Sequence, residues 1–119
     1  MAATPPRARL RPRLRAYVGD RRALGPGKAD LLASIEREGS LAAAARVLGM
    51  SYMRAWRLVR EMRELFRAPL VELRRGAAGG AALTPDGVAV LALYRAMEAA
   101  AERAVAPLWT KLRRRLRAR

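Results

Sequence analysis

The stretch GSLAAAARVLGMSYMRAWRLVREM, Gly39 to Met62, constrains the fold more than any other in this chain. A run of four alanines, Ala42 to Ala45, stands just before a glycine, and a basic, aromatic segment follows after only three residues. Ser40 is a good N-cap for a helix over Leu41–Leu48, and Gly49 accepts the positive φ that ends it. Ser51 then caps a second helix running to about Arg67. Small side chains let two helices cross closely, so the alanines predict a steep, tight crossing, with Val47 and Leu48 as the apolar anchor. In the second helix Ala55, Val59, Met62 and Phe66 recur at spacings of 4, 3 and 4, the stripe of a buried face. Tyr52, Met53, Arg54, Arg57 and Arg60 lie largely off that stripe.

The flanking segments supply the rest of a domain. Leu31, Leu32 and Ile35 give a core stripe to a helix over about Lys28–Glu38. Pro69 opens an extended stretch, PLVELRR, and GAAGG followed by AALT completes a hairpin with a glycine-rich tip. Thr84 caps and Pro85 starts a long helix reaching about Ala106, where Pro107 interrupts the pattern. Upstream, Ala8, Leu10, Pro12, Leu14, Ala16 and Val18 alternate with Arg7, Arg9, Arg11, Arg13 and Arg15. That is the period of a strand with one solvated face, and Pro12 makes it an edge strand. Residues 1–6 are expected to be a disordered tail, residues 7–106 one domain, and residues 107–119 a basic tail. The fold class is α+β, mainly α: a winged helix-turn-helix with an N-terminal edge strand, a two-stranded wing and a long C-terminal helix.

Charge narrows the function. The chain has 119 residues, 25 basic against 10 acidic, for a net charge of +15, and all the basic residues but Lys28 and Lys111 are arginine. A surplus of this size favours a polyanionic partner. There is no cysteine and no histidine. Disulfides, Cys or His metal sites, and catalysis through His or Cys are therefore excluded, and no enzyme activity is expected. Glu36, Glu38, Glu61 and Glu64 fit surface ion pairs better than acid–base chemistry. The N-terminus lacks the apolar core of a secretory signal and no stretch is apolar enough to span a membrane. The expected compartment is the cytoplasm, with the nucleoid.

In a helix-turn-helix the amino end of the second helix meets base edges, where arginine pairs with guanine. Ser51, Tyr52, Met53, Arg54, Arg57 and Arg60 are therefore the candidate reading segment, and Arg74 and Arg75 flank the wing tip where a duplex backbone would lie. The arginine row from Arg7 to Arg15 fits either a solvated strand face or a surface beside phosphates. Val90, Leu93, Met97, Ala101, Ala104 and Leu108 form a second stripe on the long helix. That stripe fits a two-fold homodimer interface.

GSLAAAARVLG, with PLVE and LTPDG downstream, resembles the DNA-binding domain of LysR-type regulators. GMSYMRAW, the glycine-rich GAAGG and LTPDG resemble more closely the ModE family of molybdate-responsive regulators, over residues 25–100 or so. The resemblance implies a dimeric, sequence-specific transcription regulator on double-stranded DNA, with Ser51, Tyr52, Met53, Arg54 and Arg57 as its reading segment. Two-domain members carry a C-terminal molybdate-binding module. Residues up to Arg119 are similar to the single-domain members instead, so no cofactor is expected, and molybdate is the one ligand the family brings into question. A non-specific nucleoid protein and an oxyanion-binding protein are the alternatives.

Overall fold

A computed structural model describes residues 3–74 and 79–119. Along them run β1 (Ala16–Val18), β2 (Arg21–Leu24), α1 (Pro26–Glu38), α2 (Leu41–Val47), α3 (Tyr52–Leu65), β3 (Val71–Leu73), β4 (Ala81–Leu83) and α4 (Pro85–Arg113). The strands form two separate antiparallel hairpins, β1–β2 and β3–β4. This is the mainly α winged helix that the sequence predicts, with β3–β4 as the wing.

Central to the core is α1, which buries apolar residues on two sides. Leu31 and Ile35 pack with Leu41, Ala44 and Ala45 of α2, Ala55 and Val59 of α3, and Ala81 of β4. Ala29 and Leu32 pack with Leu24, Met62, Leu70, Leu91 and Tyr94. The crossing between α1 and α2 is tight enough for the buried Ser34 hydroxyl to donate to Ala44 O at 3.2 Å. Every core position here is small or branched aliphatic, apart from Met62 and Tyr94, which suits close-packed short helices.

The turn between α2 and α3 follows from its sequence. Ser40 Oγ accepts from Ala43 N at 3.1 Å and caps α2. At the other end Met50 N donates to Ala45 O (3.0 Å) and Gly49 N to Arg46 O (3.1 Å). Gly49 has φ +67°, the left-handed geometry that this pair of bonds requires. Leu48 packs against the core. Val47, expected to anchor beside it, is exposed. It falls roughly 100° round the helix from the Leu41–Ala44–Ala45–Leu48 face.

A second close approach joins the wing to α4. Thr84 Oγ1 donates to Pro69 O (2.6 Å) and accepts from Gly87 N (3.0 Å), while Thr84 N donates to Leu70 O (3.0 Å). Gly87 lies directly over that same Leu70 carbonyl, leaving no room for a Cβ.

Two expectations change in extent. The alternating segment Ala8–Val18 forms a strand only over Ala16–Val18, and residues 3–15 have no regular secondary structure. Its five arginines are exposed, as are Leu10, Ala16 and Val18, while Ala8, Pro12 and Leu14 are half-buried, so the alternation follows burial only at those three positions and not strand pairing. Tyr94 of α4 donates to Leu14 O at 2.8 Å, Ala8 N donates to Arg119 O, and Arg119 N donates to Pro6 O. A helix offers no row of free backbone groups to ladder with, and Pro12 has no N–H to give. Met1 and Ala2, part of the expected tail, lie outside the described residues.

The second change is at Pro107, where α4 continues for another six residues, to Arg113. Proline removes one backbone donor. The flanking Ala, Leu and Arg residues favour helix, and the Thr110 hydroxyl adds a bond to Ala106 O at 3.0 Å. At 29 residues the helix is about 44 Å long. Only its first turns are buried, through Gly87, Leu91 and Tyr94. On the predicted second stripe, Leu93, Met97 and Leu108 are 64, 53 and 66% exposed.

Candidate nucleic-acid interface

The helix α3 is displayed rather than enclosed. Ser51 Oγ accepts from Arg54 N at 3.1 Å and fixes where the helix starts. Ala55, Val59 and Met62 face the core. At 100° per residue, Met53, Arg57, Arg60 and Glu64 then form a ridge pointing away from it, and all four are exposed.

Each flank of that ridge faces a hairpin. On one side Tyr52, Trp56, Val59 and Arg63 border a cleft of about 440 Å³ closed by Leu70, Val71, Leu73 and Arg74 at the foot of the wing. On the other side Arg54, Leu58 and Glu61 border a hollow of about 360 Å³ whose far wall is Tyr17, Asp20 and Arg22 of the β1–β2 hairpin. The recognition-type helix thus lies in a trough between two β-hairpins.

One ion pair, and a lysine of α1 that bonds to both, tie the N-terminal hairpin to α3. Arg21 pairs with Glu64 at 2.7 Å, and Lys28 pairs with Glu61 at 2.9 Å. The Lys28 ammonium, only 5% exposed, also donates to Arg22 O. The Arg21 hydrogen bond, helped by the charges of Arg21 and Arg60, holds the Glu64 carboxyl below its ordinary pKa. Fully buried lysines are rare unless paired, and this one bridges strand and helix with two partners. The two carboxylates of α3 itself, Glu61 and Glu64, are therefore already engaged by cations of the chain.

Each predicted site residue except Arg75 has a definite place. Met53, Arg57 and Arg60 are on the ridge, Tyr52 is on the wing side, and Arg54 is on the side of the N-terminal hairpin. Among the described residues Arg54 and Arg57 form no ion pair with a carboxylate, while Arg60 leans along its own helix, 3.8 Å from Glu64 and 5.2 Å from the Trp56 ring centre. Its charge is partly spent within the protein. Ser51 is exposed and its oxygen is occupied by the cap, leaving its O–H to donate. Arg74 N donates to Gly80 O at 2.8 Å, extending the wing ladder by a rung. Arg75 and most of the GAAGG tip lie outside the described residues. Tyr17, Arg22 and Arg63 also border the trough, although nothing in their local spacing marks them. Only the packing of the hairpins against α3 brings them there.

No helix of the described residues is long and apolar enough to cross a membrane. Nor do the described residues gather three or more Asp or Glu as a metal-binding group would need.

Comparison with known proteins agrees with this geometry. The model of the family described as bacterial regulatory helix-turn-helix protein, lysR family, matches residues 28–88, from the start of α1 to the first turn of α4. Over 78 residues, 64% of this chain, it is 47% identical to the molybdenum-pterin-binding protein MopB of Rhodobacter capsulatus and 42% identical to the molybdenum transport protein ModE of Azotobacter vinelandii. Over 71 residues it is 38% identical to the DNA-binding transcriptional dual regulator ModE of Escherichia coli K12. The matched region spans 29, 29 and 27% of those three proteins, less than a third of each. On the family match, which takes in the whole α1–α2–α3–wing unit, this chain belongs to the lysR family of bacterial regulatory helix-turn-helix proteins.

Proposed function

We propose that the chain is a DNA-binding transcription regulator that reads duplex sequence with the amino end of α3 and binds as a homodimer. The observation that carries this reading is the exposed ridge of α3, with Arg54 and Arg57, which pair with no carboxylate among the described residues, at the capped end of the helix. An α-helix fits the major groove of B-DNA, and bidentate arginine–guanine pairs there discriminate bases by about 1–3 kcal/mol each. The regulators named among the relatives support the same reading.

Dimerisation follows from the exposed stripe of α4, which carries Leu93, Met97 and Leu108 on a helix whose alanines allow close approach. A two-fold pair would present two α3 helices to half-sites about one helical turn, ~34 Å, apart. With roughly 8 phosphates neutralised per dimer, log K falls with log salt at a slope of about −7. The protein works in the cytoplasm, on the nucleoid, and binds no cofactor. The names of MopB and ModE concern molybdenum, so calorimetry with molybdate checks the last point: a saturable heat would overturn it.

In a gel-shift titration, Arg54→Ala relaxes base preference at one position, by about tenfold, whereas Arg9→Ala weakens all sequences alike. If both variants bind as the parent does, α3 is not the reading element. The surplus charge and the exposed arginine arm favour a second reading, a non-specific packing protein, which requires no base preference at all.

A further inference from the structure

We infer that the β1–β2 hairpin is a second wing, gripping a backbone phosphate of the DNA strand that flanks α3 on the side away from β3–β4. The inference rests on α3 being the DNA-reading helix and adds a contact that neither the helix-turn-helix nor its usual wing provides.

Three observations carry it. The first is position, since Tyr17 and Arg22 face Arg54 and Leu58 across an open hollow of about 360 Å³, one flank of the α3 ridge. The hairpin is also prepared for an anion. Tyr17 and Arg22 are partners in the strand register. The Arg22 guanidinium lies 5.8 Å from the Tyr17 ring centre, and its Nη2 donates to the Tyr17 hydroxyl at 3.5 Å. Stacking of this kind fixes a guanidinium before a ligand arrives. Tyr17 Oη keeps its proton to donate, so the rung offers a guanidinium and a phenol O–H side by side. Finally, the hairpin is joined to α3 by Arg21–Glu64 and by Lys28, bonded to both Glu61 and Arg22 O. Those bonds use up the two α3 carboxylates on this flank, Glu61 and Glu64, so they do not compete for Arg22.

One acidic group remains. Asp20, at the turn, also borders the hollow. Its charge repels a phosphate from the hairpin tip and leaves the Tyr17–Arg22 rung as the contact point. A guanidinium and a phenol held side by side match a phosphate diester, which takes several donors and carries one charge.

The test measures duplex binding of the full chain by fluorescence anisotropy across salt concentration, with Arg22→Ala, Tyr17→Phe and Arg57→Ala beside the parent. Arg22→Ala is expected to weaken every duplex by about fivefold and to reduce the salt slope by about 1, with base preference unchanged. Tyr17→Phe weakens binding in the same sequence-independent way. Should Arg22→Ala melt early, Arg22→Gln keeps the stem over the ring and gives the same readout. If the Arg22 variants bind as tightly as the parent with the same slope while Arg57→Ala weakens binding, the hairpin is not a contact and the reading of α3 survives. If the parent itself binds no duplex, both are overturned.

Discussion

Replacing Gly87 by alanine tests how the wing is joined to the long helix. A Cβ at this position would overlap Leu70 O far inside contact distance, with Leu70 C and Cα at 3.0 and 3.3 Å. The obstructing atoms are backbone, so no rotamer change relieves them. The obstructed carbonyl is also the acceptor for Thr84 N, and Thr84 caps the helix that Gly87 belongs to. Moving α4 outward therefore strains that bond and the cap together. Overpacking costs about 1–3 kcal/mol when side chains absorb it, and backbone obstruction places this case near 3. For a 119-residue chain the unfolding entropy is about 0.25 kcal/mol per kelvin, so the expected loss is roughly 12 °C in Tm. Thermal unfolding followed by circular dichroism at 222 nm reads it directly. Gly27→Ala is the control: it lies in α1 and an added Cβ there meets nothing within 4 Å. That variant should melt at or slightly above the parent, since alanine is favoured over glycine in a helix by up to about 1 kcal/mol. If Gly87→Ala melted within about 2 °C of the parent, the close approach of wing and helix would be wrong.

Other consequences are as specific. Tyr94→Phe leaves the Leu14 carbonyl without its donor and should cost about 1 kcal/mol. Burial holds the Tyr94 phenol above its ordinary pKa of 10.0, so its contribution is complete below pH 10 and is lost as pH rises through the elevated folded value. The parent's Tm should therefore fall more steeply than that of Tyr94→Phe on the alkaline side, and parallel curves would contradict this. Leu93→Glu, on the exposed stripe of α4, should weaken dimerisation by about a hundredfold without lowering monomer stability, as sedimentation equilibrium and thermal melts would show. An unchanged dimer would place the interface elsewhere.

Much of the architecture is legible residue by residue. Ser40, Ser51 and Thr84 each stand directly before an apolar periodic run, and each does cap a helix. The stripe Ala55, Val59 and Met62 marks the buried side of α3, and hence its exposed side. These features are local: a cap or stripe is set by neighbours within a turn or two. What escapes the sequence is set by distant partners. Strand β2 has no alternation to announce it, because Ala23 and Leu24 are buried in succession. The arm from Arg7 to Arg15 has the right alternation for a strand but lies beside a helix. Pro107 looks like a stop, yet one missing donor does not outweigh the helix-forming residues on both sides. In the candidate site, the α3 arginines are visible from charge and spacing. Their sorting is not: Arg60 turns to Glu64 and Trp56, and Arg22 comes to face Arg54 from more than thirty residues away in the chain.

Selection of bound sequences from a pool of random duplexes, run at low and at physiological salt, tests the central claim most directly. A helix that projects Arg54 and Arg57 into the major groove of a two-fold complex predicts an enriched palindrome, its half-sites about 10 base pairs apart, persisting at the higher salt. Recovery of duplexes with no shared motif at either salt would contradict it, leaving charge alone as the basis of binding.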